Sequence, residues 1–224
     1  MQTSTLIVLT FIMGMIMSIY LPMNSSISKY LDSSIAATVT FFASDKEVFL
    51  ESRRLFFRKW SSNDFKLALG LWGDPRITKF IDARERLSEG EVRSRLAQEI
   101  ECAEDFNVQY WPIFLKSTRK HVGCCGLRPY DRSHEIYEIG FHICSDFWGQ
   151  GFATEAARAV MDYAFNALSV NELFAGHSPD NAVSQHLLQK LGFRYTHDEY
   201  YAPTGLHHPA YLLSAEAYRQ QRSK

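Results

Sequence analysis

Residues 147 to 154, FWGQGFAT, lie between a strand-like run, Glu135 to Ile143, and the clearest amphipathic pattern in the chain, Thr154 to Leu168. In that pattern Ala156, Val160, Ala164 and Leu168 fall on one helical face, and Glu155, Arg158, Asp162 and Asn166 on the other. A strand that turns through Gly149 and Gly151 straight into a helix with a buried stripe points to a sheet with helices on its faces. The turn also has a chemistry. Glycine lets backbone approach a ligand closely, and the first turn of a helix carries N–H groups with no intrahelical acceptor and a partial positive charge. A phosphate or pyrophosphate seat is the physical expectation, although a turn that needs glycine for conformation alone fits the same residues. Two other phosphate-binding turns do not fit. A P-loop requires Gly-Lys followed by Ser or Thr, and a dinucleotide-binding turn requires a third glycine that GQGFAT lacks.

The elements around this turn follow from periodicity and punctuation. Val48 to Trp60 reads as a first strand, and Ser61, Ser62, Asn63 and Asp64 offer N-caps for a helix that ends before Gly73, Asp74 and Pro75. Ser88 and Glu91 form a capping box ahead of Val92, Leu96, Ile100 and Ala103, which are spaced like a helical stripe. Strand-like runs at Tyr110 to Leu115, His121 to Leu127 and Glu135 to Ile143, parted by the turn-rich Ser117 to Lys120 and Pro129 to Ser133, predict an antiparallel meander. Leu173 to His177 is a short strand. Asn181 to Leu191 is a helix with Val183, Leu187 and Leu191 inward and Gly192 as its C-terminal cap, and Phe193 to Tyr195 and Ala210 to Leu213 are the last strands. The fold class is α+β, a mixed α/β sheet flanked by helices.

Twenty-four basic and 25 acidic residues leave a net charge of -1, so no global field draws in a polynucleotide and no DNA partner is expected. Arg53, Arg54, Arg58 and Lys59 form a local basic cluster, read as a solvated strand edge, with contact to an RNA or ribosomal surface the alternative. Cys102, Cys124, Cys125 and Cys144 make no CxxC pair, and adjacent Cys124 and Cys125 point to opposite faces of a strand. Small apolar residues in a reducing cytosol are expected, not a zinc site or a disulfide framework. No metal is expected anywhere in the chain.

The front of the chain differs from the rest. Residues 6–21, LIVLTFIMGMIMSIYL, carry no charge, and Lys29 is the first ionisable side chain. The run is shorter than the roughly 20 residues of a bilayer span and has no basic n-region. A buried apolar helix or an upstream start is favoured; if the run inserts as an anchor, Lys29 keeps the body of the protein on the cytoplasmic side. Residues 1–47 therefore read as an apolar leader and linker, and 48–224 as the folded domain.

The stretch EIGFHICSDFWGQGFATEAARAVMDYAF, followed by SPDNAVSQHLLQKLGF, resembles the two core motifs of the GNAT superfamily of N-acetyltransferases, in the version seen in ribosomal-protein-type members. The resemblance runs from about Val48 to Leu213, with its components in the right order. It implies the GNAT acyl-CoA N-acyltransferase fold and acetyl-CoA as cosubstrate. It also implies that backbone groups of Phe141, His142 and Ile143 hold the pantetheine arm and thioester carbonyl. The amides of Gly149, Gln150, Gly151, Phe152, Ala153 and Thr154 then wrap the pyrophosphate, and Asn181 orients the distal pantetheine. Trp148 stands where many members have Arg or Gln, and contacts made by backbone survive that change.

For catalysis the resemblance implies direct attack by a primary amine on the thioester, which requires a positioned carbonyl and an oxyanion donor more than a covalent nucleophile. Strand alternation puts Tyr137, Ile139, Phe141 and Ile143 on one face, and Glu138, Gly140 and His142 on the other. Glu138 matches the glutamate of the EIGF motif and is the implied base, its pKa raised by burial. A simple ion pair with Arg128 is the other reading of Glu138, and His142 is the other basic candidate. Many members reprotonate the thiolate with a tyrosine at the position of Leu188; Ser184 takes a similar role in the ribosomal-protein branch, and an exposed helical serine is its plain alternative. His207, His208, Tyr200, Tyr201 and Pro203 read as a hairpin connection, with a substrate-side loop the alternative. The acceptor is a protein N-terminus or a small-molecule amine. A non-catalytic acyl-CoA-binding module is the competing class, and the chain is expected to act in the cytoplasm as a monomer or homodimer.

Overall fold

The computed structural model describes residues 48–84 and 86–222, so the apolar run at 6–21 and its possible insertion lie outside the described residues. The elements are β1 (Leu50–Glu51), β2 (Leu55–Phe57), α1 (Phe65–Trp72), α2 (Pro75–Thr78), α3 (Glu89–Phe106), β3 (Tyr110–Leu115), β4 (His121–Asp131), β5 (Ile136–Ile143), α4 (Phe152–Asn166), β6 (Glu172–Gly176), α5 (Ala182–Lys190), β7 (Arg194–Tyr201), β8 (Leu206–Ser214) and α6 (Ala215–Arg222). The strands form one mixed sheet in the order β1-β2-β3-β4-β5-β6-β8-β7. β3 to β5 are the antiparallel meander expected from the sequence, β2 adds antiparallel to β3, β5 and β6 run parallel around the α4 crossover, and β7 and β8 close the far edge as a hairpin.

Local chemistry sets most boundaries. At the start of α3 the Ser88 N–H donates to Glu91 Oε2 at 2.8 Å, the reciprocal half of the capping box. Asn107 ends that helix in the left-handed conformation at φ 55°. Asn181 caps α5 by accepting from the Ser184 N–H at 3.1 Å. Among the described residues no helix is long and apolar enough to cross a membrane.

Several boundaries correct the sequence reading. Val48 to Trp60 is two short strands, because Ser52 turns the chain: its N–H donates to Leu55 O at 2.9 Å, and its hydroxyl accepts the Leu55 N–H at 3.1 Å. β4 runs through Pro129 to Asp131 where a turn was expected. β3 pairs with β4 only as far as Gly126, so the N–H that proline lacks is missed by no neighbour, and the register shifts between Pro129 and Asp131. Val183 is 78% exposed, and the buried stripe of α5 runs through Leu187 and Leu188 instead, with Leu191 just past the helix end. The basic cluster is largely neutralised: Arg54 pairs with Glu155 and Arg58 with Asp64.

The sheet separates two apolar cores. Under α4, Leu127, Ile139, Ile143 and Leu173 meet Ala156, Val160 and Ala164. On the opposite face, Trp60, Trp72, Val92, Leu96 and Tyr110 of the α1 and α3 layer pack together. Cys125 belongs to the first core and Cys124 to the second, as strand alternation requires.

Candidate active site

β5 and β6 are paired only at their starts, from Ile136 opposite Glu172 to Glu138 opposite Phe174. Beyond Glu138 they part, while β5 stays paired to β4 as far as Ile143. The Cys144 N–H donates to Val122 O at 2.8 Å, so by the alternation of an antiparallel ladder the even-numbered residues of β5 bond β4. The peptide groups of Phe141 and Ile143 therefore face the opening between the strands, whereas the backbone of His142 is committed to β4. The Ile143 carbonyl is taken by the Trp148 indole N–H at 2.7 Å. Trp148 thus straps the exit of β5 to the glycine turn.

The turn itself is open to a ligand. Gly149 has φ 72°, and nothing lies within 4 Å of where a Cβ would stand; Gly151, at φ 78°, is the N-cap of α4. The first helical amide to find a backbone acceptor is that of Glu155, which donates to Gly151 O at 3.1 Å, leaving those of Phe152, Ala153 and Thr154 at the bare helix end. Gln150 lies on the rim and donates to Asp146 O at 3.2 Å. The β1–β2 hairpin clamps this end. Arg54 lies over the Phe152 ring at 4.2 Å, donates to Gln150 O at 3.1 Å and pairs with Glu155 at 2.6 Å. A free strand edge, two left-handed glycines and an exposed helix start fit an extended pantetheine arm ending in a pyrophosphate.

At the mouth of the splay lies a cavity of about 210 Å³, lined among others by Glu138, Phe141, His142, Asn181, Ser184 and Leu188. Ile143 and the 149–154 turn lie outside its wall. The cavity and the turn are thus separate parts of the predicted site, and the free edge of β5 runs between them.

Glu138 stands directly opposite Arg128 across the β4–β5 ladder. The ion pair with Arg128, the other reading of Glu138, is not what forms, because the Arg128 guanidinium goes to the Glu99 carboxylate, which is fully buried. Burial pushes the Glu138 carboxyl up, and the Arg128 cation, the Tyr110 hydroxyl and the Arg95 cation pull partly against that rise. Gly140 makes the arrangement possible: a Cβ there would fall inside van der Waals contact with the Tyr110 ring. Arg128 covers the other side of that ring at 4.3 Å, and the Tyr110 N–H donates to Glu99 at 2.8 Å.

His142 has a different environment. The Trp72 indole donates to its Nδ1 at 3.2 Å, the Cys124 thiol lies at 3.6 Å, and burial holds its pKa well below the ordinary value. It is a neutral, packed ring. Ser184 reaches the cavity from the first turn of α5, and Leu188, 1% exposed, brings no proton to it. Sequence reasoning missed Tyr110 and Arg95, which line the same wall. The β7–β8 connection is a hairpin as expected and also borders the cavity through Tyr200, Tyr201 and His208, held by the Ala83 N–H donating to Pro203 O at 2.9 Å. Among the described residues no cluster of three or more His, Cys, Asp or Glu could hold a metal ion.

Known proteins share this architecture. The chain is 29% identical over 145 residues to an uncharacterized N-acetyltransferase p20 of Bacillus licheniformis, covering 65% of this chain and 82% of that protein. It superposes on the ribosomal alpha-N-protein acetyltransferase RimL in complex with coenzyme A with a TM-score of 0.65 at 16% identity, covering 76% of this chain and 99% of that one. It also superposes on a spermidine N-acetyltransferase of Vibrio cholerae in complex with CoA and spermine with a TM-score of 0.63 at 17% identity, covering 74% and 98%. The family model of the acetyltransferase (GNAT) domain matches residues 54–194, the span that holds the splayed strands, the glycine turn and the half-buried glutamate, and the chain belongs to that family of acyltransferases.

Proposed function

We propose that residues 48–224 form one catalytic domain that moves an acetyl group from acetyl-CoA to a primary amine by direct attack in a ternary complex. Acetyl-CoA supplies the acetyl group activated as a thioester. The Phe141 peptide groups and the Ile143 N–H hold the pantetheine arm along the free edge of β5, and an amide there stabilises the developing oxyanion. The turn from Gly149 to Thr154 takes the pyrophosphate. Asn181, whose side-chain oxygen already caps α5, orients the arm through its amide group.

The observation that carries the reading is a half-buried, desolvated carboxylate on the cavity wall, at the point where β5 and β6 part. Glu138 accepts the proton that an ammonium acceptor must lose, and Ser184 hands one to the departing thiolate. Because burial raises the pKa of Glu138, its basic form is present above that pKa and is lost as pH falls through it. The four cysteines are free, in keeping with action in the reducing cytoplasm.

Glu138→Gln keeps the shape and removes the base. Turnover, followed as thiol release from acetyl-CoA in the presence of amines, should fall about 10²- to 10⁴-fold near neutral pH. Acetyl-CoA affinity, read by calorimetry, should hold within a factor of about three. Unchanged turnover across the pH range would remove Glu138 from the mechanism.

A further inference from the structure

The charged groups on the cavity wall are Arg95, Arg128, Glu138 and Glu199. Two of them are committed inside the protein, Arg128 to Glu99 and Glu199 to the Tyr130 hydroxyl at 3.0 Å, and Glu138 is the proposed base. The histidines on the wall are engaged as well, His142 by Trp72, His177 by Ser178 O at 2.8 Å and His208 by Thr204 at 2.8 Å. Arg95 is the exception. Its Nε is buried and has no hydrogen-bond partner, and its guanidinium lies over the Trp72 ring at 4.9 Å. Two acids feel its charge, Asp82, which is already forked onto Arg84, and Glu138.

A guanidinium donor left unmatched in a partly enclosed site costs free energy until an acceptor arrives, and carboxylate is the acceptor that its planar fork fits best. Its neighbour on the wall is Glu138. One acidic group for an amine and one cation for an oxygen anion therefore face the same small space. Aromatic rings line much of the rest, among them Tyr201 and Tyr130, which stacks on Phe174 at 4.0 Å. A polycation would meet Arg95 as a like charge.

We propose that the acceptor is a primary amine that itself carries a carboxylate and an apolar side chain, in the manner of a free amino acid, with Arg95 binding the carboxylate while Glu138 faces the amine. The inference rests on the acetyltransferase reading and narrows it.

N-acetyl-L-phenylalanine and N-acetylphenethylamine, products that differ only in the carboxylate, separate this inference from the reading beneath it. Calorimetry on the full chain in the presence of coenzyme A should find the carboxylated product bound about 10- to 100-fold more tightly, the range expected for one charge-assisted hydrogen-bond pair. Arg95→Gln should erase that gap, and Arg95→Lys should restore part of it. In turnover, L-phenylalanine should exceed phenethylamine in kcat/KM by a similar ratio, which collapses in Arg95→Gln. Equal affinity for the two products, or failure to bind either, overturns the inference, as does preferred acetylation of spermidine or of a peptide N-terminus. Binding of the carboxylated product without acetyl transfer to any amine leaves the Arg95 assignment standing and removes the catalytic reading.

Discussion

On one face of β5, Ile139 and Ile143 press into the aliphatic core beneath α4; on the other, Glu138, Gly140 and His142 meet Tyr110, Trp72 and Cys124. The aliphatic face is held by non-directional burial, on the order of 1.5 to 3 kcal/mol for each large side chain removed from water. It tolerates apolar side chains of similar volume. The polar face is only half-buried at β5 itself and is held by matched donors and acceptors, Glu99 to Arg128 and to the Tyr110 N–H, and Trp72 to His142. There a missing partner leaves a desolvated charge, and the position of each group is fixed by its neighbour. One strand thus stabilises the domain with its odd residues and positions the proposed base with its even ones.

The sharpest break between the faces is a pair of substitutions. Glu99→Gln removes the anion that holds Arg128 and should cost about 3 to 5 kcal/mol, the usual loss when one partner of a buried pair is deleted. Because Tyr110 and Arg128 then shift against Glu138, turnover of the folded fraction should fall as well. Leu173→Ala, in the opposite core at 0% exposure, should cost a comparable 2 to 5 kcal/mol or so, yet leave turnover per folded molecule intact. Denaturant titration beside thiol-release kinetics reads both. If the two variants lose activity in equal proportion to stability, the faces do not divide the work.

Much of this was legible in the sequence for a physical reason. Strand alternation is rigid, so Glu138, Gly140 and His142 could be assigned to one face before any coordinates. The Ser88–Glu91 box and Asn181 are local and were readable for the same reason. What stayed hidden depends on pairing across long separations. Arg95 and Glu99, four apart beside the apolar stripe of α3, look like a solvated helical pair, yet Glu99 is fully buried and binds Arg128, while Arg95 turns into the cavity. Tyr110 opens β3 like any strand aromatic. Only Gly140, thirty positions on, lets its ring lie across β5. The turn at Ser52 and the passage of β4 through Pro129 were missed because a serine hydroxyl and an unpaired strand edge each override a plausible local pattern.

A smaller change tests how the polar face sets proton affinity. The Tyr110 hydroxyl lowers the Glu138 pKa against the rise due to burial, so Tyr110→Phe should push that pKa further up. The basic form then appears only at higher pH. The acid limb of the kcat/KM profile should accordingly move to higher pH, while the plateau falls by less than about tenfold. A limb that stays in place would mean that Tyr110 packs against Glu138 without tuning it.

The least of these effects belongs where the two faces meet at the end of β5. Asp74, the N-cap of α2, accepts the Ser145 hydroxyl at 2.8 Å just past the strand, and is forked by Arg76, whose side chain is 62% exposed. These bonds hold its carboxyl down at about 2, from 3.8 in the unfolded chain. The sign follows from linkage: a depressed carboxylate stabilises fully above the unfolded value and loses that contribution as pH falls through 3.8 toward 2. With Arg76 largely in water, Asp74→Asn should cost only about 1 kcal/mol at neutral pH. It should also flatten the fall in stability below about pH 4, because the variant has no proton to take up there. Denaturation midpoints measured on both proteins from neutral to acid pH decide it. Parallel curves would show that the tie between the α1–α2 corner and the exit of β5 does not contribute to stability, leaving the two cores to hold that end of the strand alone.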